Sequence, residues 1–456
     1  MSTENNAAPK TAASKQIIKA VRGTRDLLPP ETALWNRVEQ TARSVFARYG
    51  FGEIRTPVLE ATELFARGVG EETDIVSKEM YTWEDRARAA SEKAQSLTLR
   101  PENTAGVVRA YIEHKLGDTG NLQKLYYIGP QFRRERPQKG RYRQFFQIGA
   151  EVIGPASSGS ESPLRDAEVL EMLATLLDEL GIPRASAENN YKGWKLSLNS
   201  VGSATDRPRY IAALREALGP VKHQMCEDNQ RRAETNPLRV LDSKDEADQE
   251  IIDALPKIAD YLDEDSRSHF AQVLAALDAC AVPYTINPRL VRGLDYYTRT
   301  TFEFTVETGL GTQNALLGGG RYDGLSEMIG GPKAPGIGFA IGQDRLILTL
   351  QAQAEGVATP LTEPKLDAYI APMGIGQNAA ALALARELRH QGLSIEVGDG
   401  NFRLKKSFEA ADRVARNIII LGEDEVASGQ ITIKTFATGE QIKVARTELR
   451  TRLQSV

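Results

Sequence analysis

The stretch LYYIGPQFRRERPQKGRYRQFFQIGAE, residues 125–151, is the strongest local signal in the sequence. The runs 124–129 and 143–154 combine β-branched and aromatic residues, which is typical of strands. Pro137 and Gly140 mark a loop between them. The sequence therefore predicts two strands joined by a loop.

That loop is strongly basic. Residues 133–143 hold one acid, Glu135, against six basic side chains, which are Arg133, Arg134, Arg136, Lys139, Arg141 and Arg143. Arginine forks bind phosphate oxygens in pairs and stay protonated, so the composition favours a phosphate-binding loop. An ordinary solvated charged loop is the alternative.

A second cation stands where a helix is expected to begin. GIGFAIG (336–342) is followed by DRLIL, so Arg345 lies at the start of an apolar helix. A cation there opposes the helix dipole, which indicates that Arg345 meets an anion. The sequence contains neither the P-loop pattern nor the dinucleotide pattern G-x-G-x-x-G at this point. The alternative is a glycine-rich strand with close backbone packing.

Two further peptides carry polar or aromatic groups beside glycine. GGGRYDGL (318–325) allows close approach of a ligand to the backbone, although a tight hairpin turn fits equally well. RGLDYYT (292–298) joins Arg292 and Asp295 to the tyrosines Tyr296 and Tyr297, which offer a flat wall with hydroxyl tips. Core packing is the alternative for these tyrosines.

LRPENTAG (99–106) places Glu102 and Thr104 near a helix start that Pro101 favours. The carboxylate is a candidate ligand for a donor. The alternative is a capping arrangement in which Glu102 simply sits in the first turn of that helix.

The remaining pattern predicts an α+β domain built on an antiparallel sheet and interrupted by helices. Apolar spacing predicts a helix over 31–49, and FGEIRTPVLE (51–60) alternates like a strand that Pro57 interrupts. Residues 206–279 are rich in charge and alanine and are expected to form several helices without strands. We place this insertion at 203–282, within a catalytic domain at 16–352.

After a linker at about 353–365, strands and helices alternate, which predicts a small parallel α/β domain at 365–456. Residues 1–15 are polar and without an apolar core, so we expect a disordered tail and not a secretory signal.

Bulk composition excludes several classes. There is no run of 18 apolar residues, as a membrane span would need. The two cysteines, Cys226 and Cys280, stand in no metal-type spacing and fit a reducing cytoplasm. The formal net charge is −4, but a nucleic acid needs only a local basic path. No protein metal ligands are assigned.

Together these peptides resemble the histidyl-tRNA synthetases over nearly the whole chain. VRGTRDLLPPE (21–31) resembles their N-terminal signature, and FGEIRTPVLE resembles class II motif 1, with Pro57 at a dimer interface. Residues 125–151 resemble motif 2, and PGIGFAIGQDRL (335–346) resembles motif 3. RGLDYYT and GGGRYDGL resemble the two peptides that set the histidyl enzymes apart. A longer 84–96 segment and Asn103, where glycine is common, depart from the family pattern.

The resemblance implies roles for matched positions. Arg133 would hold the ATP α-phosphate, Glu135 the adenine-bearing end, and Arg345 the γ-phosphate. Arg133 and Arg292 are the expected catalytic residues, with Arg292 at the reacting carboxylate. The expected histidine-binding residues are Glu102, Asn103, Thr104, Arg133, Gln147, Glu151, Arg292, Tyr296 and Tyr297.

The implied reaction joins histidine to its tRNA through histidyl-adenylate, with ATP as a substrate and Mg²⁺ as its partner. The domain at 365–456 would bind the anticodon, and the protein would be a cytoplasmic homodimer that contacts no membrane. Carboxylates and a glutamine supply the acceptors that the ammonium and imidazole donors of histidine need. Arginines and magnesium offset the repulsion between carboxylate and ATP.

Two other functions are compatible with parts of this pattern. A synthetase-like regulatory subunit of the first enzyme of histidine biosynthesis would share the fold, but such proteins usually lack the C-terminal domain and have eroded motifs. A non-catalytic RNA-binding module would have no reason to keep Arg133, Arg345 and the histidine-binding residues together.

Overall fold

The computed structural model describes most of the chain, namely residues 17–70, 73–85, 94–190, 192–291, 296–307, 314–354 and 365–454. The chain divides into two compact units, Met1–Leu361 and Thr362–Val456. The expected tail at 1–15 and most of the expected linker at 353–365 lie outside the described residues.

The described part of the first unit contains a large sheet and a small one. Its strands, in chain order, are β1 (Gly52–Glu53), β2 (Leu59–Ala61), β3 (Tyr81–Asp85), β4 (Gln95–Leu99), β5 (Gln123–Phe132), β6 (Gln144–Ile153), β7 (Trp194–Ser200), β8 (Thr285–Ile286), β9 (Thr298–Val306), β10 (Ala315–Arg321) and β11 (Gly336–Gly342). In the large sheet the strand order is β1-β5-β6-β11-β10-β9-β7-β8, and in the small one it is β2-β4-β3.

The large sheet is antiparallel at its centre, as predicted. Every pairing from β5 to β7 is antiparallel, and only the short edge strands β1 and β8 pair in parallel. The predicted pair of strands is confirmed, because β5 and β6 pair from Gln123↔Ile153 to Phe132↔Gln144 with the basic loop between them.

Helices cover this sheet. In chain order they are α1 (Glu31–Arg48), α2 (Thr62–Val69), α3 (Thr104–Glu113), α4 (Pro163–Glu179), α5 (Asp206–Leu218), α6 (Glu227–Thr235), α7 (Gln249–Asp253), α8 (Glu264–Ala279), α9 (Leu325–Met328) and α10 (Gln343–Ala354). Helices α1, α4, α8 and α10 supply buried apolar side chains to one core shared with the sheet. The predicted helix at 31–49 is α1, whose apolar spacing buries Leu34, Val38 and Phe46.

The described residues between β7 and β8 form several helices joined by turns, with no strand among them, as predicted. Helices α5, α6 and α7 and the turns around them form a separate core that extends to Leu262. Helix α8 differs, because its buried Val273 and Leu277 belong to the main core beside α4. This packing favours an insertion body that ends before α8, whereas the boundary at 282 remains a proposal.

Two local expectations need correction. FGEIRTPVLE is not one strand, because only β1 and the first residues of β2 pair within 51–60. The hairpin-turn alternative for GGGRYDGL is wrong, because Gly318–Gly320 lie inside β10 and pair on both sides with β9 and β11. Around the unusual 84–96 segment, β3 and β4 pair as far as Asp85↔Gln95, and the residues at 86–93 lie outside the described ones.

The second unit alternates strands and helices, as predicted. Its elements are β12 (Leu366–Pro372), α11 (Asn378–His390), β13 (Ile395–Val397), α12 (Leu404–Val414), β14 (Ala415–Leu421), α13 (Glu423–Ser428), β15 (Gln430–Thr435), β16 (Gln441–Ala445) and α14 (Leu449–Gln454). The sheet order is β13-β12-β14-β15-β16. The expectation of a wholly parallel sheet is wrong, because β15 and β16 run antiparallel and only the first three strands are parallel.

Candidate functional site

An acidic pocket, which we define by Glu102, Thr104 and Glu151, lies between β6 and the start of α3. Glu151 is fully buried on β6. Its Oε1 accepts a hydrogen bond from Thr104 Oγ1 at 2.7 Å, and its Oε2 accepts one from Tyr322 Oη at 2.7 Å. Burial raises the pKa of Glu151 to about 8, against these two hydrogen bonds. The carboxyl group is thus held in place by donors on two other elements.

Glycines in the neighbouring strands make room for this pocket. A Cβ on Gly338 of β11 would lie 1.6 Å from Glu151 Oε2, and a Cβ on Gly320 of β10 would lie 2.7 Å from the ring of Tyr297. Side chains at these positions would displace the pocket residues. The glycines of both peptides therefore allow close packing beside the pocket. For 336–342, this agrees with the alternative interpretation given above.

Glu102 binds the N-terminus of α3. Its Oε2 accepts from the backbone N–H of Thr104 at 2.7 Å, and its Oε1 accepts from that of Ala105 at 3.1 Å. Burial raises its pKa, while these two N–H groups act in the opposite direction. Glu102 therefore caps α3, but it lies two residues before the helix and not in its first turn. These contacts leave lone pairs on both oxygens for a further donor.

A tyrosine wall, formed by Tyr296, Tyr297 and Tyr322, stands against the acidic pocket. The ring centroids of Tyr296 and Tyr297 are 4.8 Å apart, and those of Tyr296 and Tyr322 are 6.0 Å apart. All three side chains are buried. Burial raises the pKa of Tyr296 and Tyr322 well above the usual phenol value, with Glu151 contributing in both cases. The hydroxyls therefore stay protonated and can donate.

An arginine cavity of about 250 Å³ lies beside the acidic pocket. Its charged lining comes from motif 2 and motif 3, namely Arg133, Glu135, Arg141, Asp344 and Arg345. Arg345 lies in the first turn of α10, as predicted. Burial lowers its pKa, and Arg141 lowers it further, so cations are crowded together here. Such a cavity favours a multiply charged anion.

Arg133 is anchored at one edge and lies over a ring. Its Nε donates to the carbonyl of Pro101 at 2.9 Å, and its guanidinium carbon lies 5.2 Å from the centroid of Phe145. One terminal nitrogen lies 3.8 Å from Glu135. Because Nε and the flat face are occupied, the terminal nitrogens are the part of Arg133 that is available for a ligand.

The N-terminal signature braces the two arginine-bearing segments. Arg25 donates to Glu31 at 2.9 Å and to Asp344, at the start of α10, at 3.2 Å. Its guanidinium carbon also lies 5.0 Å from the ring centroid of Tyr142 in the basic loop. Gly23 accepts a backbone hydrogen bond from Arg143 at 2.7 Å. The peptide thus fixes the basic loop against α10.

A second cavity, of about 390 Å³, opens between the motif 2 loop and the helical insertion. The insertion contributes Arg232 and Arg239, and Arg133 and Arg141 line the other side. Arg239 pairs with Asp74 at 2.8 Å, which ties the insertion to the body of this unit. Arg133 lines both cavities, so they meet at its side chain.

The structure brings most of the expected site residues together. Gln147 lines the arginine cavity, and its buried Oε1 has no hydrogen-bond partner among the described residues. Asn103 is buried, and its Oδ1 accepts from Thr56 Oγ1 at 2.7 Å. Arg292 and Asp295 lie outside the described residues.

Two pocket residues were missed by the sequence analysis. Tyr322, within the quoted GGGRYDGL peptide, was assigned no role although it binds Glu151. Tyr127 is buried and its hydroxyl has no hydrogen-bond partner among the described residues, while Glu151 and Glu102 raise its pKa after burial. Tyr127 pairs with Gly149, two residues from Glu151 on β6, so the strand register was the signal that could have identified it.

Comparisons with known proteins agree with these motifs. The family model described as Histidyl-tRNA synthetase matches residues 23–346, and the model described as Anticodon binding domain matches residues 367–456. A curated protein named histidine--tRNA ligase, from Koribacter versatilis, is 68% identical over 434 residues, which are 95% of this chain and 95% of that protein.

Solved structures show the same likeness. The apo histidyl-tRNA synthetase of S. aureus superposes with a TM-score of 0.76 at 37% identity, covering 96% of this chain and 100% of that one. A protein from Bacillus halodurans C, titled an ATP phosphoribosyltransferase regulatory subunit/histidyl-tRNA synthetase, shares the fold with a TM-score of 0.62 at 19% identity, covering 90% of this chain and 99% of that one. From the extent of the family model and the high identity of the relative, we conclude that this chain belongs to the histidyl-tRNA synthetase family.

Proposed function

We propose that this protein activates L-histidine with ATP and then esterifies the histidine onto its tRNA. The observation that carries the proposal is the course of β6. Gln147 on this strand lines the arginine cavity, and Glu151, four residues further, forms the acidic pocket. Alternate residues of a strand share a face, so the two sites lie side by side, roughly 13 Å apart at most along the strand.

The acidic pocket suits the donors of histidine. The amino acid brings an ammonium and an imidazole N–H, and both need acceptors. Glu102 and Glu151 are buried carboxyl groups with free lone pairs, and the tyrosine wall offers flat surfaces for a ring. An amino acid without donors in the right places would leave these buried acceptors unpaired. The pocket therefore discriminates against such amino acids.

The arginine cavity suits ATP. In activation, a carboxylate oxygen of histidine attacks the α-phosphorus and pyrophosphate leaves, giving histidyl-adenylate. Arg133 would stabilise the α-phosphate, Arg345 the γ-phosphate, and Glu135 the adenine-bearing end. In transfer, a ribose hydroxyl of the tRNA attacks the acyl carbon and AMP leaves. Fixed donors at the phosphorus stabilise the charge that develops there.

We propose Mg²⁺ as a partner of ATP. Such an ion keeps several waters and binds largely through the substrate phosphates, so we assign it no ligand from this chain. When bound, the ion would neutralise charge on the phosphates. We also propose a homodimer in the cytoplasm. None of the described helices combines the length and apolar composition needed to cross a membrane.

ATP–pyrophosphate exchange tests the function. The purified protein should exchange labelled pyrophosphate into ATP only when L-histidine is present, and should then charge tRNA. A regulatory subunit would bind histidine without exchange, and an RNA-binding module would need no amino acid. Absence of histidine-dependent exchange in a folded protein would overturn the proposal.

Truncation should separate activation from tRNA charging. Each unit has a hydrophobic core of its own, and the first unit contains all the motif residues. A chain cut at Pro360 should therefore keep histidine-dependent exchange, while charging of tRNA collapses. Helix α12 and its flanks carry five exposed basic side chains, which are Arg403, Lys405, Lys406, Arg413 and Arg416, against the acids Glu409 and Asp412. We propose them as an RNA-binding face, and an ordinary solvated helix is the alternative.

Exchange by the truncated chain is the internal control for folding. If that chain charges tRNA as fast as the full-length protein, the second unit does not read the anticodon. The charge-reversing variant Lys405→Glu provides a milder form of the same test, because this exposed residue lies far along the chain from every motif. It should raise the KM for tRNA and leave exchange unchanged.

Glu151→Gln should stabilise the free protein while weakening histidine binding. The folded pKa of about 8 exceeds the ordinary carboxyl value of 4.5, so folding takes up a proton between these values. The wild type therefore loses stability as pH rises from 4.5 to 8. The variant cannot ionise here, so its melting temperature relative to the wild type should rise as pH increases from 4.5 to about 8 and level off above that.

Histidine kinetics should move in the opposite sense. Loss of a buried partner costs about 1–3 kcal/mol, so the KM for histidine should rise strongly and that for ATP little. Glu168→Gln is the matched control, because Glu168 pairs with Lys124 at 2.8 Å and Arg165 at 2.7 Å outside the pocket. It should leave the KM for histidine unchanged. An unchanged KM in Glu151→Gln would remove Glu151 from the pocket.

A further inference from the structure

We infer that a buried charge network, made of Asp166, His269, Arg299 and Arg321, positions the tyrosine wall for histidine binding. Its four side chains come from α4, α8, β9 and β10, and the hydrogen bonds described below join them to one another and to their own surroundings, not to Glu102, Thr104 or Glu151. They are positioning residues in this inference, which rests on the proposed function. Asp166 and Arg321 are completely buried, His269 is buried, and Arg299 is partly buried.

Arg321 is completely buried, and its donors are used. Its Nε donates to Asp166 Oδ1 at 3.1 Å and Oδ2 at 3.2 Å. Its Nη1 donates to Ser160 O at 2.9 Å and Asp323 Oδ1 at 3.0 Å. Its Nη2 donates to Ser162 O at 3.4 Å and closely to Asp166. The five N–H groups of a guanidinium are thus directed at carboxylates and carbonyls, which fixes β10 against the start of α4.

His269 extends the network to β9. Its Nε2 lies 2.8 Å from Asp166 Oδ2, and its Nδ1 lies 3.2 Å from Arg299 Nη1. Arginine can only donate, so Nδ1 must accept and carry no proton. Nε2 must then carry the proton and donate to Asp166. The geometry assigns a neutral imidazole in one tautomer, which bridges an acceptor and a cation.

Both ends of the network lead directly to the tyrosine wall. Tyr322 follows Arg321 in the chain, and its hydroxyl donates to Glu151 at 2.7 Å. Tyr297 precedes Arg299 by two residues on the same strand end. Arg299 has a φ of +49°, in the left-handed region, so the chain here needs fixed contacts to stay in place. Asp166 therefore holds the backbone next to Tyr322 through Arg321, and the backbone next to Tyr297 through His269 and Arg299.

Backbone hydrogen bonds also fix these points, and Arg207 Nη1 donates to Tyr297 O at 3.4 Å. Arg299 N donates to Gly202 O at 2.7 Å, and its carbonyl accepts from Val201 N at 2.8 Å. Tyr322 N donates to Gly336 O at 2.8 Å. These bonds set the strand register, but the side chains of Arg299 and Arg321 set the depth at which the strands lie against α4 and α8. A small displacement there moves the tyrosine wall away from its substrate.

His269→Ala is the decisive variant, because it breaks the bridge to Arg299 and leaves the pair of Asp166 with Arg321 intact. We expect the KM for histidine in exchange to rise roughly tenfold or more, since misplacement of positioning groups costs up to about 100-fold. The KM for ATP should stay within about twofold of the wild type, because the arginine cavity lies on other segments. A change confined to melting temperature would make the network purely structural.

His269→Gln tests the same idea by rescue. Its amide can donate to Asp166 and accept from Arg299, as the neutral imidazole does. The KM for histidine of this variant should be close to the wild-type value. If His269 acted through a positive charge, the glutamine variant would be as impaired as the alanine variant.

Asp248→Asn is the matched control for lost stability. Asp248 is fully buried, but it accepts from Cys226 N at 3.1 Å and from Asn229 within the separate core of the insertion. It should lower the melting temperature and change neither KM. An equal rise of the histidine KM in this control would overturn the inference. A wild type without histidine-dependent exchange would instead refute the proposed function, so the two failures are distinguishable.

Discussion

Replacing Arg292 by alanine is expected to slow histidyl-adenylate formation at least 100-fold, with only a modest loss of ATP binding. The expectation rests on the sequence, since Arg292 lies outside the described residues. A second arginine near the α-phosphate would act mainly in the transition state, where charge concentrates between the carboxylate and phosphorus. Loss of one preorganised donor costs on the order of 100- to 1,000-fold, and kcat and kcat/KM should fall together.

Single-turnover rates and thermal melts on the same preparation would decide between two roles. Transfer from preformed adenylate to tRNA should suffer less, because the α-phosphate is no longer the electrophile. Arg292→Lys should rescue poorly, since an ammonium lacks the planar fork. The competing role is an ion pair with Asp295 that holds the turn. A lowered melting point with near-normal adenylation would establish that structural role.

Periodicity predicted the elements whose burial follows one face. Helix α1 and strand β6 agree with prediction within one residue, and β5 extends three residues beyond the predicted end at 129. Their apolar side chains face a single core. Strand β16 was not predicted, since its sequence QIKVA is only five residues long and none of its residues is fully buried. β16 is an edge strand that is held by backbone pairing with β15, and such pairing produces only a weak pattern in the sequence.

Glycine was ambiguous for a physical reason. Three glycines in a row are compatible with a turn or with close approach, and only the surroundings distinguish these cases. Here Gly319 and Gly320 lie in a strand, where an added Cβ on Gly319 would lie 2.1 Å from Gly338 O. The partner that forbids a side chain comes from β11, 19 residues later in the chain from Gly319.

The acidic pocket could be predicted only through family resemblance, and the buried charge network not at all. Glu102 and Glu151 stand in different motifs, and each alone is compatible with capping or core packing. Asp166 and Arg321 are 155 residues apart, so no local pattern relates them. Tyr322 was overlooked because its role depends on the contact with Glu151, which requires the sheet order β6-β11-β10.

Arg133→Ala should also reduce adenylate formation by roughly 100- to 1,000-fold, and here the structure supplies the reason. Its Nε is bound to Pro101 O at 2.9 Å, and its guanidinium carbon lies 5.2 Å from the ring centroid of Phe145. The terminal nitrogens are therefore held in a fixed direction before ATP arrives. A donor oriented in advance costs no reorganisation during the reaction, so its loss should lower kcat more than it raises the KM for ATP.

Arg133→Lys separates charge from orientation. Lysine keeps the charge but has no Nε donor for Pro101 and no plane to lie over Phe145, so it should recover little activity. Arg134→Ala is the matched control from the same loop, because the guanidinium carbon of Arg134 lies 5.9 Å from the ring centroid of Tyr81 and its side chain does not line the arginine cavity. Adenylation should stay near the wild-type rate in that variant. Equal losses in both variants would mean that the basic loop acts through its overall charge, and Arg133 would then have no special place at the α-phosphate.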